Sequence, residues 1–74
     1  MLSDIKLKIR HAKRANEKSL DLSGMDISEL PVDLLQLTML ESINLSNNKL
    51  INLRRIEQLP NLREVTTEKK VKLL

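Results

Sequence analysis

The stretch Leu40-Glu-Ser-Ile43-Asn-Leu45-Ser-Asn-Asn48-Lys-Leu50-Ile-Asn-Leu53 decides the fold, because its apolar positions follow neither a helical nor a simple strand period. Ile43 and Leu45 stand two apart, so both point to one side of a short strand. Asn48 follows where the chain must turn inward. Its side-chain amide can satisfy backbone groups in that buried turn. Leu50 and Leu53 then fill the same core from the turn and the returning segment.

The pattern repeats on both sides of this stretch. Leu20, Leu22, Ile27 and Leu30 recur 23 residues later as Ile43, Leu45, Leu50 and Leu53, and Leu40 and Ile43 recur 22 residues further on as Leu62 and Val65. Each unit buries its leucines against the next and cannot do so alone. The motif Leu40-x-x-Ile43-x-Leu45-x-x-Asn48-x-Leu50-x-x-Leu53 resembles the leucine-rich repeat. So does Leu20-Asp-Leu22-Ser-Gly24 with Ile27-Ser-Glu-Leu30-Pro31, which is similar to the first repeat of bacterial-type intracellular members. The resemblance covers about residues 19–67 and implies an α/β fold, a short right-handed solenoid with parallel strands on a concave face used for contact with another protein. There are two departures: Met25 stands at the asparagine position of the first unit, and Thr67 replaces the leucine of the third. The first turn must therefore be satisfied in another way, and the array amounts to about two and a half repeats.

An array this short needs covered ends. Leu2, Ile5, Ile9 and Ala12 recur at helical steps, which predicts an amphipathic cap helix over 3–15, with Ser3 as N-cap, Leu2 and Leu7 as a staple and Asn16 as a left-handed terminus. The expected organisation is one domain over 1–74: the cap helix, a repeat over 17–39, a repeat over 40–61, and a degenerate third repeat with its tail over 62–74. The end, Val71-Lys-Leu73-Leu74, reads as an edge-blocking strand or as a point of self-association, and Lys69, Lys70 and Lys72 suit an edge that must be protected.

Composition narrows the function. Apolar residues make up 41% of the 74 and charged residues 31%, enough for one small core. The chain has no Cys, Phe, Tyr or Trp, so it can hold no disulfide or thiolate metal site and has no ring on which to stack a base. Its single histidine, His11, falls in the basic helix and reads as a surface residue, and its single glycine, Gly24, makes no phosphate-cradling loop. No nucleophile–base set can be assembled, so no enzyme and no cofactor are expected. No apolar run is long enough for a signal peptide or a membrane span, which points to a cytoplasmic protein; the sequon Asn44-Leu45-Ser46 then carries no meaning.

The net charge of +3 hides a mildly acidic centre between two basic ends. Lys6, Arg10, Lys13 and Arg14 are expected on the helix side away from Ile5, Ile9 and Ala12, where they could contact phosphates of nucleic acid or an anionic surface. The competing reading is a solvated face, since no nucleic-acid motif accompanies the charge. By alternation, Ser19, Asp21 and Ser23, then Ser42, Asn44 and Ser46, then Glu64, Thr66 and Glu68 form three outward columns on the concave face. Arg54, Arg55 and Arg63 are the large anchors nearest to hand. Leu35, Met39 and Ile51 exceed what the repeat requires and could form an exposed apolar patch. The expected function is a non-enzymatic protein-binding module, an inhibitor or adaptor docking on a larger protein. The alternatives are the anionic-surface binder and a structural fragment of a longer array.

Overall fold

The structure is a computed structural model and describes residues 2–50 and 53–67. One helix, α1 (Leu2–Ala15), precedes three short strands, β1 (Ser19–Asp21), β2 (Ser42–Asn44) and β3 (Glu64–Thr66). The strands form an open parallel sheet in the order β1-β2-β3. Ser19 lies opposite Ser42 and Glu64, Leu20 opposite Ile43 and Val65, and Asp21 opposite Asn44 and Thr66. The steps of 23 and 22 residues between partners equal the spacing of the sequence repeat. Parallel strands require a long return path. Each return here runs through a turn and a short 3₁₀ helix, Val32–Gln36 after β1 and Ile56–Gln58 after β2. Pro31 starts the first of these at φ −64°, with its carbonyl accepting the Leu34 amide at 3.1 Å.

Helix α1 forms because its apolar residues recur at 5, 9 and 12, and Ile5, Ile9 and Ala12 are all buried. Asp4 in its first turn and Lys13 and Arg14 in its last complement the helix dipole. Asn16 ends it at φ 55°. The Glu17 amide then donates to the Ala12 carbonyl at 2.9 Å and the Asn16 amide to the Lys13 carbonyl at 3.2 Å, the paired bonds of a Schellman stop. The start differs from expectation. The helix opens at Leu2, which places Ser3 inside its first turn and not at the cap. The Leu2 and Ser3 side chains, and with them the expected Leu2–Leu7 staple, lie outside the described residues; Leu7 itself is 57% exposed. It stands two residues, about 200° of rotation, from both Ile5 and Ile9.

Beyond the helix, the core is built mainly from the leucines of the strand ends, turns and returns. Leu22, Leu34, Leu37, Leu40, Leu45 and Leu53 are fully buried, with Ile27, Ile43, Ile56 and Leu59 beside them. Each such side chain contributes about 1.5–3 kcal/mol relative to exposure. Leu35 and Met39 are half-buried against this core, so they form no exposed patch; the 3₁₀ helix turns more sharply than an α-helix and brings Leu34, Leu35 and Leu37 inward together. Ile51 lies outside the described residues.

Asn48 secures the turns. Its Oδ1 accepts the Met25 and Ile27 amides, each at 2.9 Å, and its Nδ2 donates to the carbonyls of Leu22 (2.8 Å), Leu45 (3.0 Å) and Ser46 (3.3 Å). The turn that lacks its own asparagine is thus held by the asparagine of the following unit. Met25 packs half-buried against the core. Among the described residues no buried side-chain polar atom lacks a partner.

Candidate functional site

The outward residues of the three strands form two rows, Ser19–Ser42–Glu64 and Asp21–Asn44–Thr66, across a shallow trough. The outer-strand members are exposed, and Ser42 and Asn44 on the central strand are half-buried by their neighbours. All but Glu64 are short, so a partner could approach the sheet backbone closely.

The expected third row does not continue the sheet. Ser23 and Ser46 fall after their strands, in the turns. Asp21 Oδ1 accepts the Ser23 amide at 2.9 Å and its hydroxyl at 2.7 Å, and Asn44 Oδ1 accepts the Ser46 amide at 3.0 Å and its hydroxyl at 2.7 Å. These are two copies of one Asx turn, which fold the serines back onto the strand end. Glu68 lies outside the described residues, as do Lys69, Lys70, Lys72 and the tail. The two turns differ in charge. Hydrogen bonds from the Ser23 hydroxyl and amide hold the Asp21 carboxyl below its ordinary value, with the Lys8 ammonium adding to the effect.

Lys8 also reaches one carbonyl on the outer edge of the sheet. Along β1 the even-numbered residues face β2, with Lys18 O accepting the Ser42 amide and the Leu22 amide donating to Asn44 O. The odd-numbered ones therefore face away. On that side the Lys8 ammonium donates to the Asp21 carbonyl at 3.0 Å. On the other side of β2 the Leu45 amide donates to Thr66 O of β3, and no strand beyond β3 is present among the described residues.

The three arginines separate. Arg63 borders the foot of the strand face with Lys18, Ser19, Glu41, Ser42 and Glu64, and Lys18 and Glu41 make a loose ion pair at 3.9 Å. Arg54 and Arg55 instead stand in the turn before the second 3₁₀ helix, Arg55 at φ 72°. They share a cleft with Ser28, Glu29, Leu30, Val32 and Lys49. Lys49 is fixed there by Asp26 at 2.8 Å, a bond that also raises its pKa. Val32 is 64% exposed. Nothing in the sequence marks it as such, because an apolar residue after Pro31 reads as part of the returning core segment.

The basic helix residues do not all lie away from the packed side. Lys6, Arg10 and Lys13 line a cleft with Ile9, Asp33 and Gln36, and Lys13 donates to Gln36 Oε1 at 3.4 Å. They flank the seam between α1 and the first 3₁₀ helix because Lys6 follows buried Ile5 and Arg10 follows buried Ile9 by a single residue, about 100°. Arg14 and His11 are exposed.

Among the described residues no three His, Asp or Glu side chains gather to hold a metal ion, and no helix is long and apolar enough to cross a membrane. No family model, curated protein or solved structure matches the chain.

Proposed function

We propose that the chain is a short solenoid of the leucine-rich-repeat type that binds another protein through its strand face, without catalysing a reaction, as an inhibitor or adaptor would. The observation that carries this reading is the pair of in-register rows, Ser19–Ser42–Glu64 and Asp21–Asn44–Thr66. They leave a trough of small polar side chains with Glu64 and Arg63 at its border. Such a surface supplies backbone proximity and hydrogen bonding, and Arg63 supplies a residue type enriched among energetic anchors. The solenoid part of the reading is supported by the 23- and 22-residue steps and by the way Asn48 bridges successive turns.

The test is affinity capture from source-cell lysate, with nuclease and moderate salt, using the native chain and the variants Ser42→Arg and Thr66→Arg. A stoichiometric protein held by the native chain and released by both variants supports the reading. A protein held equally by all three refutes it.

A second reading, contact with nucleic acid or an anionic surface, is favoured by the convergence of Lys6, Arg10 and Lys13 on one cleft. It is weakened by Asp33 in that cleft and by the Lys13–Gln36 bond. It predicts capture that disappears on nuclease treatment and depends on Lys6, Arg10, Lys13 and Arg14.

A further inference from the structure

The outer edge of β1 runs beside an apolar groove. The Ser42 amide donates to Lys18 O and the Leu22 amide to Asn44 O, so the even-numbered backbone groups of β1 are engaged by β2. Ser19 and Asp21 each turn an N–H and a C=O to the other side. Of these groups only the Asp21 carbonyl is met among the described residues, by Lys8 Nζ at 3.0 Å. Helix α1 flanks this edge without covering it. A groove of about 330 Å³ lies between helix and strand, with Leu7, Ala12 and Leu20 as its apolar lining. Leu7 is 57% exposed, one of two large apolar side chains so exposed among the described residues.

We propose that this edge is a strand-addition site, and that its occupant is an extended, uncharged segment of a partner protein carrying one aliphatic side chain. The segment's backbone pairs with Ser19 and Asp21. Its aliphatic residue lies opposite Leu20, on the same side of the sheet, and covers the apolar lining at Leu7 and Ala12. The row of outward N–H and C=O groups selects a polypeptide, since a nucleic acid has no alternating amides and carbonyls to set against it. A second copy cannot offer its own β1, because α1 flanks that edge in every copy. Charge selects neither sign: Lys8 is already held at Asp21, and Glu17 stands at the same rim. The site lies at the edge of the sheet and not across the strand face, so it survives a failure of the strand-face reading.

The experiment is a solution NMR titration of the full chain with the acetylated and amidated heptapeptide Thr-Ser-Thr-Leu-Thr-Ser-Thr, whose symmetric sequence can pair in either strand direction. The control peptide carries N-methyl groups on its central three residues and should not bind. At saturating peptide, hydrogen exchange of the Ser19 and Asp21 amides should slow by about tenfold or more, while the Leu20 amide, which faces β2, changes little. Leu7→Ser should weaken binding by about fivefold, and the matched change Val32→Ser should leave it unchanged. The proposal is overturned if the Ser19 and Asp21 amides already exchange slowly in the free chain, because another segment of the chain or a second copy then closes the edge. It is equally overturned if the peptide does not bind, if the N-methylated peptide binds as well, or if Leu7→Ser binds like the native chain. Amide shifts centred on Ser42 and Thr66 would place the peptide on the strand face and overturn it too.

Discussion

The side-chain oxygen of Asn48 lies 2.9 Å from the amide nitrogen of Met25, joining two turns that the chain separates by 23 residues. With its four further bonds to Ile27, Leu22, Leu45 and Ser46, Asn48 satisfies five backbone groups. Replacement by Ala strands several of them at once. An unsatisfied buried polar group costs about 1–3 kcal/mol, and a chain this small has only about 4–11 kcal/mol in all. Asn48→Ala should therefore lose at least about 3 kcal/mol, measured as a fall in the urea midpoint. Asn48→Asp should not rescue it, since a carboxylate cannot donate to the Leu22 and Leu45 carbonyls.

Core truncation should separate leucines that look alike in the sequence. Leu22 and Leu45 are fully buried, so Leu→Ala at either should cost about 2–5 kcal/mol. Leu7 is 57% exposed, and Leu7→Ala should change stability by about 0.5 kcal/mol or less. Parallel denaturant titrations of the three variants check this ordering.

Asn16 and Arg55, two of the left-handed positions, should respond in opposite ways to common replacements. Asn16→Ala leaves φ 55° to a residue without asparagine's tolerance of the left-handed region and should cost about 1 kcal/mol. Arg55→Gly relieves the strain at φ 72° and should raise stability by about 0.5–1 kcal/mol. Thermal unfolding by circular dichroism reads both.

The Asp21–Ser23 turn should make stability depend on pH, where its uncharged twin Asn44–Ser46 does not. The Asp21 carboxyl is held below its ordinary value of 3.8 by the Ser23 hydroxyl and amide. A depressed folded-state pKa contributes stability that is fully present above the unfolded value and lost as pH falls through the folded one. Stability should therefore decline below about pH 4, and part of that decline should vanish in Asp21→Asn, which keeps the acceptor for Ser23. Denaturant midpoints from pH 2 to 7 for the two proteins decide this.

The strands and the helix were legible because their signals are local. Ile43 and Leu45 at spacing two, Ile5, Ile9 and Ala12 at helical spacing, and Asn16 at the stop each carry their reason in a few neighbouring residues. The use of Asn48 could be read as a turn that needs an amide, although its reach to Met25 and Ile27 depends on the stacking of units. The site was less legible. Alternation places Ser23 and Ser46 in an outward row, but Asp21 and Asn44 recruit them into Asx turns, and side-chain hydrogen bonding overrides the strand period. Arg54 and Arg55 read as neighbours of the strand face until the 3₁₀ return places them beside Leu30 and Val32. Leu35 gave no periodic signal, because a 3₁₀ segment has too few residues to show one, and Met39 falls in the turn that follows it.

The backward reach of Asn48 has a consequence for a chain emerging from the ribosome. Leu22 leaves the exit with its carbonyl bare, and the side chain that will claim it follows 26 residues later. Helix α1 and β1 can exist in outline by then, yet the turn between β1 and its return stays unlocked while that interval is synthesised. The first unit is thus closed retroactively, in the same event that forms the second. A nascent chain paused before residue 48 should lack native tertiary structure, and a nascent chain released past Leu59 should gain both units together.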